Sequence, residues 1–196
     1  MATPTLLFDV MDTLVYDPFF AVAPDFFGMG LEELFAAKEP EAWVAFERGA
    51  IDEVTLGRRY FRDRRACDIA GLREAIAAAW APLPGILALL EALRGAGRRA
   101  HALSNYPIWY RELDVRLGLR RYLEWSFVSC ETGRRKPEPA AYLEAAATLG
   151  VAPERCLFVD DREANCAGAA AIGMRTHRFS GAAGLRAALV EAGVLA

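Results

Sequence analysis

Leu6-Leu7-Phe8-Asp9-Val10-Met11-Asp12-Thr13-Leu14 is the stretch that decides the fold. An apolar run that stops at a carboxylate reads as a buried strand with chemistry at its C-terminal tip, where open α/β sheets place their ligands. Three later segments repeat the pattern. Each is, or follows, an apolar run and ends in polar residues: His101-Ala102-Leu103-Ser104-Asn105, Arg134-Arg135-Lys136-Pro137, and Leu157-Phe158-Val159-Asp160-Asp161. Taken singly, Ser-Asn, Lys-Pro and Asp-Asp are ordinary turn sequences. Their joint occurrence, in order and each tied to an expected strand end, is what gives them meaning.

The chain between and beyond these segments supports an α/β fold. After residue 80 the pattern alternates: helix at 87–93, strand at 99–103, helix at 108–117, strand at 125–129, helix at 139–149, strand at 156–159, helix at 165–172, strand at 175–179 and helix at 185–192. Strands separated by helices require right-handed crossovers and a parallel sheet. Residues 16–80 read instead as wholly helical, with helices beginning at Gly30, Pro40, Asp52 and Gly71. The expected architecture is a Rossmann-like parallel sheet with helices on both faces, built from residues 1–15 and 81–196. A small helical domain, 16–80, is inserted after strand one.

Composition bounds the function. Hydrophobic residues make up 54% of the 196 and charged residues 25%, enough for a substantial core. A net charge of −3 offers no field for nucleic acid or an anionic membrane. No run approaches the ~18 apolar residues that cross a bilayer. Strand-like sequence from Thr5 leaves no room for a leader, so a cytoplasmic location is expected, with the plastid stroma as the alternative. Cys67, Cys130, Cys156 and Cys166 are scattered and read as reduced thiols. The basic, aromatic segment 57–65 is flanked by Glu53 and Asp68 and reads as a solvated helix face, not a nucleic-acid site. His101 and His177 fall on strands and read as structural.

An acid, a hydroxyl-amide pair, a lysine and an acidic pair, in this order, resemble the four signature motifs of the haloacid dehalogenase superfamily of hydrolases. The resemblance covers the whole chain, and it implies that the insertion is a cap over the active site, with 46–52 a common stretch of such caps. It further implies that Asp9 is the nucleophile, that Ser104 and Asn105 hold phosphoryl oxygens and that Lys136 neutralises both. Thr13 would order the substrate loop and Asn165 would support the acidic pair. Mg²⁺ would be bound by Asp9, the Met11 carbonyl and Asp161, with Asp160 behind them. Oxygen-only ligands suit that ion.

Met11 departs from the phosphatase pattern, which has a second aspartate there to protonate the leaving group. A thioether cannot do this, and such a relay is worth ~10²–10⁴-fold. Asp12 is adjacent, but a neighbour on an extended segment points the other way. The stretches 9–20, 104–110 and 132–139 resemble a plant and algal branch that includes plastid flavin mononucleotide hydrolases, and that branch shares the methionine. The substrate expected is therefore a small phosphate ester, with flavin mononucleotide (FMN) the specific candidate. Its ring would stack among Trp43, Phe46, Tyr106 and Trp109, although these aromatics also read as ordinary core. Two other functions compete. One is a metal-independent 2-haloacid dehalogenase, which the Asp160-Asp161 pair disfavours; the other is a catalytically silent binding protein. The chain is expected to act as a monomer or homodimer.

Overall fold

The computed structural model describes residues 3–196. Its strands are β1 (Thr5–Phe8), β2 (Ala100–Ser104), β3 (Leu123–Val128), β4 (Cys156–Asp160) and β5 (Arg175–Arg178). They form one sheet in the order β3-β2-β1-β4-β5, and every pairing is parallel. From central β1 the chain steps outward to β2 and β3, then crosses back to build β4 and β5. That reversal opens a crevice at the carboxyl ends of β1 and β4. The register pairs Phe8 with Val159, which sets Asp9 level with Asp160 at the mouth of the crevice.

Strand periodicity divides the core between the two faces. Helices α1 (Phe19–Phe27), α2 (Leu31–Ala37), α3 (Pro40–Glu47), α4 (Glu53–Arg59) and α5 (Ile69–Ala79) follow β1, and α6 (Ile86–Gly95) leads to β2. The remainder are α7 (Tyr110–Leu117), α8 (Ser129–Thr132), α9 (Pro139–Thr148), α10 (Glu163–Ala171) and α11 (Ala182–Glu191). Leu7, Leu103 and Phe158 pack with Tyr142 and Ala145 of α9 and Ala169 of α10. Leu6, Phe8, Leu157 and Val159 face the other way, with Leu89 of α6, Leu113 of α7 and Leu185 of α11. The Rossmann-like sheet with helices on both faces is thus present as the sequence implies.

Several details differ from the sequence reading. The helical stretch contains five helices, not four: α1 was hidden by Pro24 within it. Helix α5 begins at Ile69, because the Asp68 carboxylate accepts from Gly71 N at 2.9 Å and caps it. Helix α4 stops at Arg59, and the chain beyond turns to pair Phe61 with Lys38 in a short antiparallel bridge. The segment after Asp9 is not extended. Leu14 N and Val15 N both donate to Val10 O, and Asp12 takes a left-handed conformation at φ 55°.

The insertion is seated on the core by close contact at Gly49, which follows α3. Its φ is 68°, and a Cβ there would lie 2.1 Å from Cys130 O. Ser129 Oγ donates to Glu47 O at 2.5 Å, and Arg48 donates to Gly133 O at 2.9 Å and pairs with Glu138. Only glycine fits both the backbone angle and the gap. Gly49→Ala is therefore expected to destabilise the protein by about 1–3 kcal/mol through forced separation of these backbones, measured by urea unfolding. A change within error of zero would show that the contact is not close-packed.

Candidate active site

Four chain segments meet at the β1/β4 crevice. Lys136 Nζ lies 2.7 Å from Asp9 Oδ1 and 2.7 Å from Asp160 Oδ2, and its side chain is buried. The amide of Asn105 fixes the backbone that carries this lysine. Its Oδ1 accepts from Lys136 N at 2.8 Å and its Nδ2 donates to Lys136 O at 2.8 Å. Thr13 Oγ1 donates to Asp9 Oδ2 at 3.4 Å and accepts from Asp161 N at 3.2 Å, tying the first acidic segment to the last.

Asp160 is the most heavily supported acid. Besides Lys136, it accepts from Asn165 Nδ2 at 3.0 and 2.9 Å and from Arg162 N at 2.8 Å. Carboxylate oxygens of Asp9, Asp160 and Asp161 lie within 4.8 Å of one another. Burial, only partly offset by Lys136, pushes the Asp9 carboxyl up to about 7, and the charge of Asp160 adds to the rise. Burial and then Asp160 likewise raise Asp161. One lysine against three carboxylates leaves a negative excess that a hard divalent cation would neutralise. The all-oxygen donor set fits Mg²⁺.

Above the acids lies a cavity of about 220 Å³. Asp9, Met11, Asn105 and Lys136 line it from the core, and Asp17, Phe19, Phe20, Phe35, Lys38 and Trp43 from the insertion. Glu47 joins the two sides. It accepts from Trp43 Nε1 at 2.7 Å and from Arg135 Nε at 2.5 Å, next to Lys136.

The expected binding residues divide. Asp9, Met11, Asn105, Lys136, Trp43, Tyr106 and Trp109 line the cavity. Thr13 does not; it is fully buried and acts on Asp9 and Asp161. Both polar ends of the Asn105 amide are engaged by Lys136, so its first task is to hold the lysine. Ser104 is buried with its hydroxyl unpartnered. The aromatic slot is corrected. Trp43 and Phe46 each pack against Trp109 with centroids 5.5 Å apart and planes inclined by about 70°. A ring sandwiched between two others needs them roughly 7 Å apart, so no flavin fits between them. Phe19, Phe20, Phe35, Lys38, Glu47 and Arg135 were not foreseen as site residues. Lys38 carries no signal in sequence, since a lysine before Glu-Pro reads as solvent-facing.

A model of haloacid dehalogenase-like hydrolases matches residues 3–173, and the chain belongs to that family. It is 44% identical over 191 residues to Flavin mononucleotide hydrolase 1 of Arabidopsis thaliana, named as a chloroplast protein, covering 97% of this chain and 78% of the relative. A glyceraldehyde 3-phosphate phosphatase of Methanopyrus kandleri is 35% identical over 100 residues, half of this chain and 43% of the relative. Among solved structures, a family enzyme from Bacteroides thetaiotaomicron, bound to magnesium and inorganic phosphate, superimposes with TM-score 0.74 at 21% identity, covering 91% of this chain and 95% of that one. The L-2-haloacid dehalogenase of Xanthobacter autotrophicus gives TM-score 0.67 at 20% identity, covering 100% and 85%. At such identities these two establish the shared fold. Among the described residues no helix is long and apolar enough to cross a membrane.

The raised Asp9 carboxyl makes a prediction with a definite sign. A folded value near 7 against an ordinary 3.8 means the metal-free folded chain holds this proton more tightly than the unfolded chain. Its stability contribution is therefore intact below about pH 4 and is lost as pH rises to about 7. Asp9→Asn removes the effect. In EDTA, the Tm of the variant relative to the unsubstituted protein is expected to rise between pH 4 and 7, and excess Mg²⁺ should reverse that gain. A difference independent of pH would contradict the assigned electrostatics.

Proposed function

We propose that this chain is a Mg²⁺-dependent phosphatase that hydrolyses a small phosphate monoester through an aspartyl-phosphate on Asp9, with FMN as substrate. The observation that carries the reading is the convergence of Asp9, Asp160, Asp161 and Lys136 under a cavity closed by the helical insertion, which serves as the cap. The relation to the Arabidopsis FMN hydrolase over nearly the whole chain supports the choice of substrate.

An Asp9 oxygen attacks phosphorus, and the bond to the leaving alcohol breaks. Lys136, already on Asp9, offsets the charge on the nucleophile and on the transferring group. Asn105 keeps Lys136 in place, and the Ser104 hydroxyl, unpartnered but buried outside the cavity lining, would have to be uncovered to reach a phosphoryl oxygen. Asp9, Asp161 and the Met11 carbonyl, with Asp160 behind them, would hold Mg²⁺, which would supply the positive charge that keeps Asp9 ionised. Water then attacks the aspartyl-phosphate, phosphate leaves, and Asp9 is restored.

The leaving alkoxide needs a proton, and Met11 has none to give. Besides Asp9, three carboxyls line the cavity: Glu47, which is engaged by Trp43 and Arg135, and Asp12 and Asp17. Asp12 Oδ1 accepts from Asp17 N at 3.0 Å, and Asp17 Oδ1 accepts from Phe19 N at 3.1 Å. Burial raises the Asp17 carboxyl, and the nearby Asp12 adds to the rise. Asp17 is thus the better proton donor, and its carboxylate can take the proton of the attacking water afterwards.

The same donor set speaks against a metal-independent dehalogenase, which has no use for three carboxylates around one lysine. Retention of that cluster also speaks against a silent binding protein. On compartment, the Arabidopsis relative's name favours the plastid alternative.

Phosphate release should require Mg²⁺, and kcat/KM for FMN should exceed that for ribose 5-phosphate. Turnover that survives EDTA would overturn the mechanism, and equal or better use of ribose 5-phosphate would overturn the substrate. Asp17→Asn should slow alkyl phosphates by roughly 10²-fold or more while sparing aryl phosphates, whose leaving groups need no proton. Equal slowing of both classes would remove Asp17 from the proton path.

A further inference from the structure

Lys38 is the least expected residue in the cavity. It is 7% exposed, and its ammonium sits among four rings: Phe19 at 4.3 Å, Tyr60 at 5.0 Å, Trp43 at 5.4 Å and Phe35 at 5.5 Å from their centroids. Among the described residues it has no carboxylate within ion-pairing distance and no hydrogen-bond acceptor. The ring faces attract the cation, but they accept none of its three N–H groups in the way an oxygen would. With no protein acceptor, the ammonium is left to solvent or to a ligand in the cavity that Lys38 lines. Burial lowers its pKa to about 8, with Glu47 only partly opposing.

The position is nonetheless fixed. Lys38 N donates to Leu34 O at 2.9 Å, and its carbonyl accepts from Arg62 Nε at 2.9 Å. The bridge to Phe61 locks the residue between α2 and the turn after α4. Beside it, Phe20 and Phe35 remain 49% and 46% exposed, with centroids 6.2 Å apart, although both line the cavity. Half-exposed phenyl rings at a cavity edge are free to take a ring from the ligand, whereas Trp109 is already covered.

The cavity size matters here. About 220 Å³ falls below the roughly 300–1,000 Å³ that encloses a drug-sized ligand. A ligand with its phosphate over Asp9 would therefore carry any bulky terminal group toward the cavity edge, where these aromatics lie.

Resting on the phosphatase reading, we infer that Phe20, Phe35 and Lys38 form the subsite for the non-phosphate end of the substrate, and that this end is a flat heteroaromatic ring bearing oxygen or nitrogen acceptors. The two phenyl rings take its face, and the Lys38 ammonium donates to an acceptor on its edge. An isoalloxazine ring has this chemistry; a plain sugar phosphate does not.

Riboflavin is the direct probe, because it has the ring and no phosphate, so its binding is independent of turnover. Binding is read by quenching of its fluorescence on the unmodified protein, Lys38→Met, Lys38→Arg and the double variant Phe20→Ala/Phe35→Ala. Lys38→Met should weaken riboflavin at least tenfold, Lys38→Arg should retain most affinity, and the double variant, altered at exposed positions, should weaken it about as much as Lys38→Met. With Lys38→Met, the ratio of kcat/KM for FMN to that for ribose 5-phosphate should fall at least tenfold, through KM. Unchanged riboflavin binding in Lys38→Met and in the double variant overturns the inference, as does an equal loss on both substrates with a lowered Tm, which would make Lys38 purely structural. Riboflavin binding without FMN hydrolysis would keep the subsite and remove the phosphatase.

Discussion

The ion triad of Asp9, Lys136 and Asp160 is the interaction on which the rest of the molecule depends. Charges taken this far from water are tolerated only when paired and hydrogen-bonded. The surrounding residues serve that requirement. Asn105 grips the backbone of Lys136 from both sides, and Asn165 and Arg162 N saturate Asp160. Thr13 braces Asp9. The parallel sheet supplies the frame, because its reversal at β1 brings the ends of β1 and β4 side by side. The triad still leaves one carboxylate charge too many even before Asp161 is counted. This excess is what a divalent cation would neutralise, and burial together with it holds the Asp9 carboxyl well above its ordinary value.

The helical insertion covers the sheet edge and supplies one wall of the cavity above Asp9. Its attachment is polar and close-packed: Glu47 to Arg135 and Ser129, Arg48 to Gly133 and Glu138, and Gly49 against Cys130. The link from Glu47 through Arg135 ends one residue from Lys136. The seating of the insertion and the placement of Lys136 are therefore mechanically joined. The insertion supplies most of the aromatic lining together with Asp17 and Glu47, while the core supplies Asp9, Asn105 and Lys136.

Much of this was legible in the sequence, for a physical reason. Strand ends that carry function juxtapose apolar runs with polar residues, and that contrast is local. It exposed Asp9, Ser104 and the Asp160-Asp161 pair without knowledge of the fold, whereas Lys136 lies beyond both β3 and α8 and was marked by the resemblance to the family. What stayed hidden depended on tertiary contact. The turn after Val10, with Asp12 left-handed, could not be told from a continued strand. Trp43 and Trp109 looked like ring-binding groups until each proved to be the other's partner. Lys38 had no local signal at all, since its ring cage is assembled from residues up to 22 positions away.

The central claim is that Asp9 is a nucleophile and not merely a ligand. Rapid acid quench during turnover of FMN with Mg²⁺, followed by peptide mass spectrometry, tests it directly. The account predicts a phosphoryl group on the peptide containing Asp9, formed before steady state and absent from Asp9→Asn. Burst-free turnover with phosphate never attached to that peptide would contradict it and require direct attack by water.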